Sequence, residues 1–219
     1  MPRTARAATG GVCCHVLNRG NGGMRLFEEA NDYAAFVALL PRACERVPVR
    51  VLAWCLMPNH FHLLVWPQEN GALACWMQWL MTSHVRRHHK RHGTAGHLWQ
   101  GRFKCFPVQS DAHLWTVLRY VERNPLRANL VKRAEDWSWS SLGWQPSGGE
   151  KSFLHPAPIE RPPDWAEEVN APQTQAELDA IRHSVRRGTP FGAEAWAEQV
   201  ARQLGLEATL RPRGRPRKH

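Results

Sequence analysis

Two histidines one residue apart, His60 and His62, enter the run "MPNHFHLLVWP" at residues 57–67. In a strand successive side chains alternate faces, so the two imidazoles share one face while Phe61 and Leu63 take the other. Side by side they can grip one divalent ion; alternatively, one is a satisfied core histidine and the other is exposed. A structural zinc site would want two more ligands at finger-like spacing. The six cysteines, with no CxxC among them, do not offer that.

A nucleophile to accompany such an ion is sought among only two tyrosines. Tyr33 lies on the apolar stripe of its helical segment. Tyr120, in "SDAHLWTVLRYVERNP", sits roughly 110° from the centre of the stripe formed by Leu114, Val117, Leu118 and Val121, at the border of the core. Asn124 is one turn further on and leans to the same side, where its amide oxygen could meet a metal near Tyr120. The alternative is an exposed tyrosine followed by an asparagine that ends the helix.

The elements that must position these groups follow from periodicity. "VCCHVLN" reads as a first strand, closed by "RGNGG", whose glycines suit a tight turn or a loop close to a phosphate backbone, with Arg19 at its start. Tyr33, Phe36, Val37, Leu40 and Cys44 recur at helical spacing behind a cap at Asn31 or Asp32, and Pro41 should kink that helix. "VRVLAWCLM" and "HFHLLVW" flank the turn signal "PN" and form a hairpin. Leu73, Trp76, Met77, Leu80 and Met81 mark another helix, "FKCFPV" a short strand, and the Tyr120 segment a helix capped by Ser110 or Asp111 and stopped by Pro125. The order β-α-β-β-α-β-α predicts an α+β fold, an antiparallel sheet of the split βαβ kind with helices packed on it.

Further along, residues 148–173 are proline-rich and read as an extended linker between a main domain at 1–147 and a small helical extension at 174–206. Residues 207–219 form a basic tail in which Arg213, Arg215 and Arg217 sit among Pro and Gly. It resembles an AT-hook, or is a nonspecific basic run.

Charge narrows the partner. The 219 residues carry 29 Lys+Arg against 19 Asp+Glu, a formal +10, which favours a polyanion. Apolar runs are too short to span a bilayer and no signal-peptide block is seen, so the cytoplasm is the expected compartment and membrane is not the expected partner. Arg86, Arg87, Lys90 and Arg91, with several histidines, form the densest basic cluster, extended by His97, Arg102 and Lys104. It is either a solvated face or a phosphate-contacting one. Trp99, in a polar, Gly-flanked stretch, could stack on an unpaired base. No P-loop motif is found, so no nucleotide cofactor is expected.

"MPNHFHLLVWP", "HGTAGHLWQGRFK" and "LRYVERNPLRANLV", in this order and spacing, resemble the single-tyrosine HUH transposases, and most closely the REP-associated tyrosine transposases, over residues 12–144. The resemblance implies a ferredoxin-like, RRM-like palm. It also implies His60 and His62 as ligands of Mg²⁺ or Mn²⁺, Tyr120 as the nucleophile and Asn124 as a further polar ligand. The expected ligand is single-stranded or hairpin DNA, nicked and rejoined through a 5′-phosphotyrosine by a monomer or homodimer. A non-catalytic DNA-binding derivative and a relaxase- or initiator-type nickase are the competing readings.

Overall fold

The computed structural model describes residues 9–145 and 152–211. In chain order, the main elements are β1 (Cys13–Arg19), α1 (Ala30–Val37), α2 (Leu39–Arg46), β2 (Val49–Met57), β3 (His60–Pro67), α3 (Ala72–His92), β4 (Lys104–Val108), α4 (Ala112–Glu122), α5 (Asn124–Arg127), α6 (Trp165–Asn170), α7 (Gln175–Arg187), α8 (Glu194–Leu204) and α9 (Glu207–Leu210). The four strands form one sheet in the order β2-β3-β1-β4, every neighbouring pair antiparallel. This is the α+β split βαβ architecture expected.

Period-two alternation gives each face its own core. Val16, Val51, Trp54, Leu56, Phe61, Leu63 and Val65 pack beneath α1, α2 and α3. Cys13, Cys55, Met57, Leu64, Phe106 and Val108 pack beneath α4, α6 and α7. A bulge between Val51 and Ala53 puts Leu52 and Ala53 on the same side as Cys55, which keeps both faces of β2 apolar. None of the six cysteines is in a disulfide.

Local chemistry sets the helix ends. The first helix breaks at Ala38 into α1 and α2, three residues before Pro41, whose missing N–H and bulky ring cannot continue the ladder. Its N-cap is Glu29 rather than Asn31 or Asp32; Asp32 stands at the third helical position and accepts from the backbone N–H of Glu28 and Glu29. Asp111 caps α4 by accepting from His113 N–H. Pro125 does not end the helical path, because it falls at the second position of α5, where an N–H is not needed.

The proline-rich segment expected as a free linker is docked over its described part. His155 N–H donates to Val51 O, Arg161 Nη2 donates to Leu52 O, and Trp165 stacks near Trp115 of α4. On the opposite edge Phe191 pairs with β4, its N–H donating to Pro107 O while Gln109 N–H donates to its carbonyl. Both edges of the sheet are thereby partly covered by the C-terminal region. No described helix is long and apolar enough to cross a membrane.

Candidate active site

The hairpin β2–β3 projects His60 and His62 on the face that α4 covers, and the pairing of β1 with β3 sets Arg19 opposite His60 and Leu17 opposite His62. Tyr120, near the end of α4, is packed to 6% exposure, and its ring meets His62 edge-on with centroids 5.7 Å apart. The His60 and His62 rings are 5.0 Å apart and nearly perpendicular. These three side chains line one cleft of about 370 Å³ with Leu17, Asn18, Arg19, Gln100, Lys104, Arg127 and Val185.

Hydrogen bonds orient both imidazoles. His60 Nδ1 donates to Asn59 Oδ1 at 2.7 Å, and Asn59 Nδ2 in turn donates to Gly23 O at 3.2 Å, which fixes which end of that amide is the acceptor. His62 Nδ1 lies 3.0 Å from Nε2 of His15 on β1. In each ring Nε2 is the nitrogen left over. Burial, reinforced by Arg19 and Arg127, lowers His60 to about 4, and burial with the neighbouring histidines and Arg127 holds His62 well below the usual imidazole range. Both rings are therefore neutral near pH 7 and keep a lone pair. Around them stand Arg19, Lys104 and Arg127, and no carboxylate is among the described residues that line the cleft.

Asn124 does not join this cleft. It is 2% exposed, its Nδ2 donates to Tyr120 O at 2.7 Å, and its Oδ1 accepts from Arg127 Nη2 at 2.6 Å. Its oxygen, expected on a metal, is tied instead to Arg127, whose guanidinium lies 4.4 Å above the Tyr120 ring. No group of three or more His, Cys, Asp or Glu able to hold a metal occurs among the described residues.

The residues expected to contact DNA divide into separate sets. Arg19 and Lys104 line the cleft of Tyr120, His60 and His62. Arg86, His97 and Arg102 rim a larger groove, about 810 Å³, between α3 and the 96–103 loop, floored by Met77, Met81, Leu98 and Phe103. Arg87 and Lys90 border a hollow against α1. Arg91 is engaged with Glu29 at 2.6 Å and with Asp32 at 3.1 Å, so its charge is already countered. Trp99 is a correction: it is 7% exposed, against Phe36, Phe61 and His84, because backbone pairing with the Arg19–Asn21 turn pulls the loop inward. Its ring serves the core instead of standing free for a base. Arg213, Arg215 and Arg217 lie outside the described residues.

His15, Gln100, Arg127 and Val185 were not singled out from sequence. For His15 a signal existed: odd positions of "CCHVLNR" share one face, so His15, Leu17 and Arg19 point the same way.

A split-βαβ sheet that sets a His-x-His pair against a tyrosine on the covering helix defines the single-tyrosine HUH class of DNA-processing proteins. The chain belongs to the transposase family described as "Transposase IS200 like", whose model matches residues 14–124. It is 27% identical over 118 residues to a protein of Haemophilus influenzae described as "Putative REP-associated tyrosine transposase", a match that takes in 49% of this chain and spans 66% of that relative. The solved structure of a REP-associated tyrosine transposase bound to a REP hairpin superposes with a TM-score of 0.51 at 18% identity, over 74% of this chain and 96% of that one. That superposition bears out the fold.

Proposed function

We propose that this chain cleaves and rejoins single-stranded DNA at hairpin or palindromic repeats, with Tyr120 as the nucleophile. The observation that carries the reading is the meeting of Tyr120, the neutral pair His60 and His62, and the cations Arg19, Lys104 and Arg127 in one cleft of nucleotide size. A DNA phosphate brought there meets positive charge on several sides.

Tyr120 Oη attacks phosphorus and gives up its proton to water; the P–O3′ bond breaks, the leaving O3′ takes a proton from water, and the products are a 5′-phosphotyrosine and a free 3′-hydroxyl. Rejoining is the reverse attack by a 3′-hydroxyl, so the energy of the broken bond is kept and no nucleotide cofactor is required. Asn124 holds Arg127 over the phenol ring, and that contact fixes the direction from which Tyr120 approaches.

Mg²⁺ or Mn²⁺ fits the residues present. Two imidazoles with Nδ1 engaged and Nε2 left over offer two neutral donors. His60 and His62 would hold such an ion, which would supply Lewis-acid withdrawal of charge from the scissile phosphate.

The test is incubation of a labelled hairpin oligonucleotide with the protein and Mn²⁺, followed by denaturing electrophoresis. A covalent protein–DNA adduct is expected, abolished by Tyr120→Phe while hairpin binding persists. An adduct that survives in Tyr120→Phe refutes the choice of nucleophile, and a wild type that binds without forming an adduct favours a purely DNA-binding role.

A further inference from the structure

His15 lies at the centre of the proposed site without touching the cleft. Its ring is wholly buried on β1 and stacks on His62, with centroids 5.1 Å apart and planes at 9°. Tyr120 and Phe106 close around it edge-on, at 6.1 and 4.9 Å. One nitrogen, Nε2, is 3.0 Å from His62 Nδ1. The other, Nδ1, is buried with no hydrogen-bond partner among the described residues. A polar ring in such a place costs stability in any fold that does not use it.

The shared contact has only two states. Either His62 Nδ1–H donates to His15 Nε2, or His15 Nε2–H donates to His62 Nδ1. In the second, a neutral His62 carries no proton on Nδ1 and must carry it on Nε2, the nitrogen it has left for the cleft, so no lone pair is available there. Only the first state leaves Nε2 of His62 bare. His60 has the same arrangement with a different acceptor, since its Nδ1 donates to Asn59 Oδ1. A ligating histidine is held in this way when its second nitrogen donates to a fixed acceptor.

We propose that His15 is a positioning residue: the buried acceptor that holds His62 as its Nδ1–H tautomer and presents Nε2 to a divalent cation. The inference rests on the function proposed above. His15 then carries its own proton on Nδ1, and the edge-on packing of Phe106 and Tyr120 keeps the ring from turning over.

Two measurements test this without any reaction being run. In the metal-free wild type, ¹⁵N spectra of the imidazoles should show His62 protonated at Nδ1 and His15 protonated at Nδ1; a His62 protonated at Nε2 overturns the proposal. Mn²⁺ affinity, read by electron paramagnetic resonance, should fall about 10- to 100-fold in His15→Phe, which fills the space but accepts nothing, and stay within a few-fold of wild type in His15→Gln, whose amide oxygen can accept. Equal affinity in His15→Phe and wild type also overturns it. If the wild type binds no Mn²⁺, the metal-dependent function fails, and the tautomer of His62 still decides the role of His15.

Discussion

Glu122 lies two residues beyond Tyr120 on the same helix, with no exposed surface. Its Oε1 accepts from Ser141 Oγ at 2.6 Å and its Oε2 from Trp165 Nε1 at 2.6 Å, while Arg161 Nη1 stands 3.5 Å from Oε1. Glu122→Ala removes all three at once. Trp165 N–H is then a buried donor with nothing to meet, at a cost of about 1–3 kcal/mol. Ser141 Oγ can turn its one proton to Trp54 O, 3.2 Å away, so its loss is about 1 kcal/mol, the worth of one hydrogen bond. Arg161 is a third exposed, and water takes up its charge for about 1 kcal/mol or less. Together these give a destabilisation of about 2–5 kcal/mol. Glu122→Gln keeps the shape and one acceptor and should lose about half as much. Urea unfolding followed by tryptophan fluorescence at pH 7 reads both. A Glu122→Ala protein within about 1 kcal/mol of wild type would refute the reasoning, because the carboxylate could not then be what fastens α4 to the C-terminal segment.

If the groove rimmed by Arg86 and Arg102 follows a single strand, replacing both by Gln should make log K less steep in log salt by about 1.4, about 0.7 per phosphate contact, in titrations of a fluorescent oligonucleotide. Arg91→Gln, already paired with Glu29 and Asp32, should change that slope little in the same titration. Burial, chiefly, lowers His84 to about 3 from its ordinary 6.5. It is thus neutral in the fold, while the unfolded chain gains a proton as pH falls below about 6.5, and stability drops toward acid by about 1.4 kcal/mol per pH unit. His84→Phe should flatten that slope by this amount between pH 4 and 6 in urea titrations, and an unchanged slope would mean His84 is already charged in the fold.

What the sequence disclosed was local. Alternation alone puts His60 and His62 on one face, and Pro41 alone predicts the break between α1 and α2, because both depend on a few consecutive residues. What it hid depends on residues far apart in the chain. His15 becomes a neighbour of His62 only because the strand order places β1 beside β3. Trp99 looked exposed among glycines, yet Phe36 and Phe61, some 40 to 60 positions earlier, enclose it. Arg91 looked free until Glu29 and Asp32 were brought to it. Proline content in the segment before Trp165 reports an extended backbone correctly. It does not report docking, since an extended chain at a sheet edge needs only a few hydrogen bonds and one or two large side chains to stay down.

The family match ends at residue 124, but the contacts that fix the helix carrying Tyr120 do not. Along α4, Thr116 O accepts from Gln173, Arg119 donates to Ala171 O, Glu122 accepts from Trp165, and Arg123 donates to the carbonyls of Val169 and Asn170. Every one of those partners lies in the segment that composition marks as linker. From α7, Val185 then supplies part of the cleft wall next to Tyr120. A helix bonded at four levels to residues 165–173 is held with the Tyr120 ring 5.7 Å from that of His62. The unit that positions the tyrosine is therefore the palm plus residues 165–185, and shortening the chain to the matched region would remove the clamp, and Arg127 with it, while leaving Tyr120, His60 and His62 in the chain.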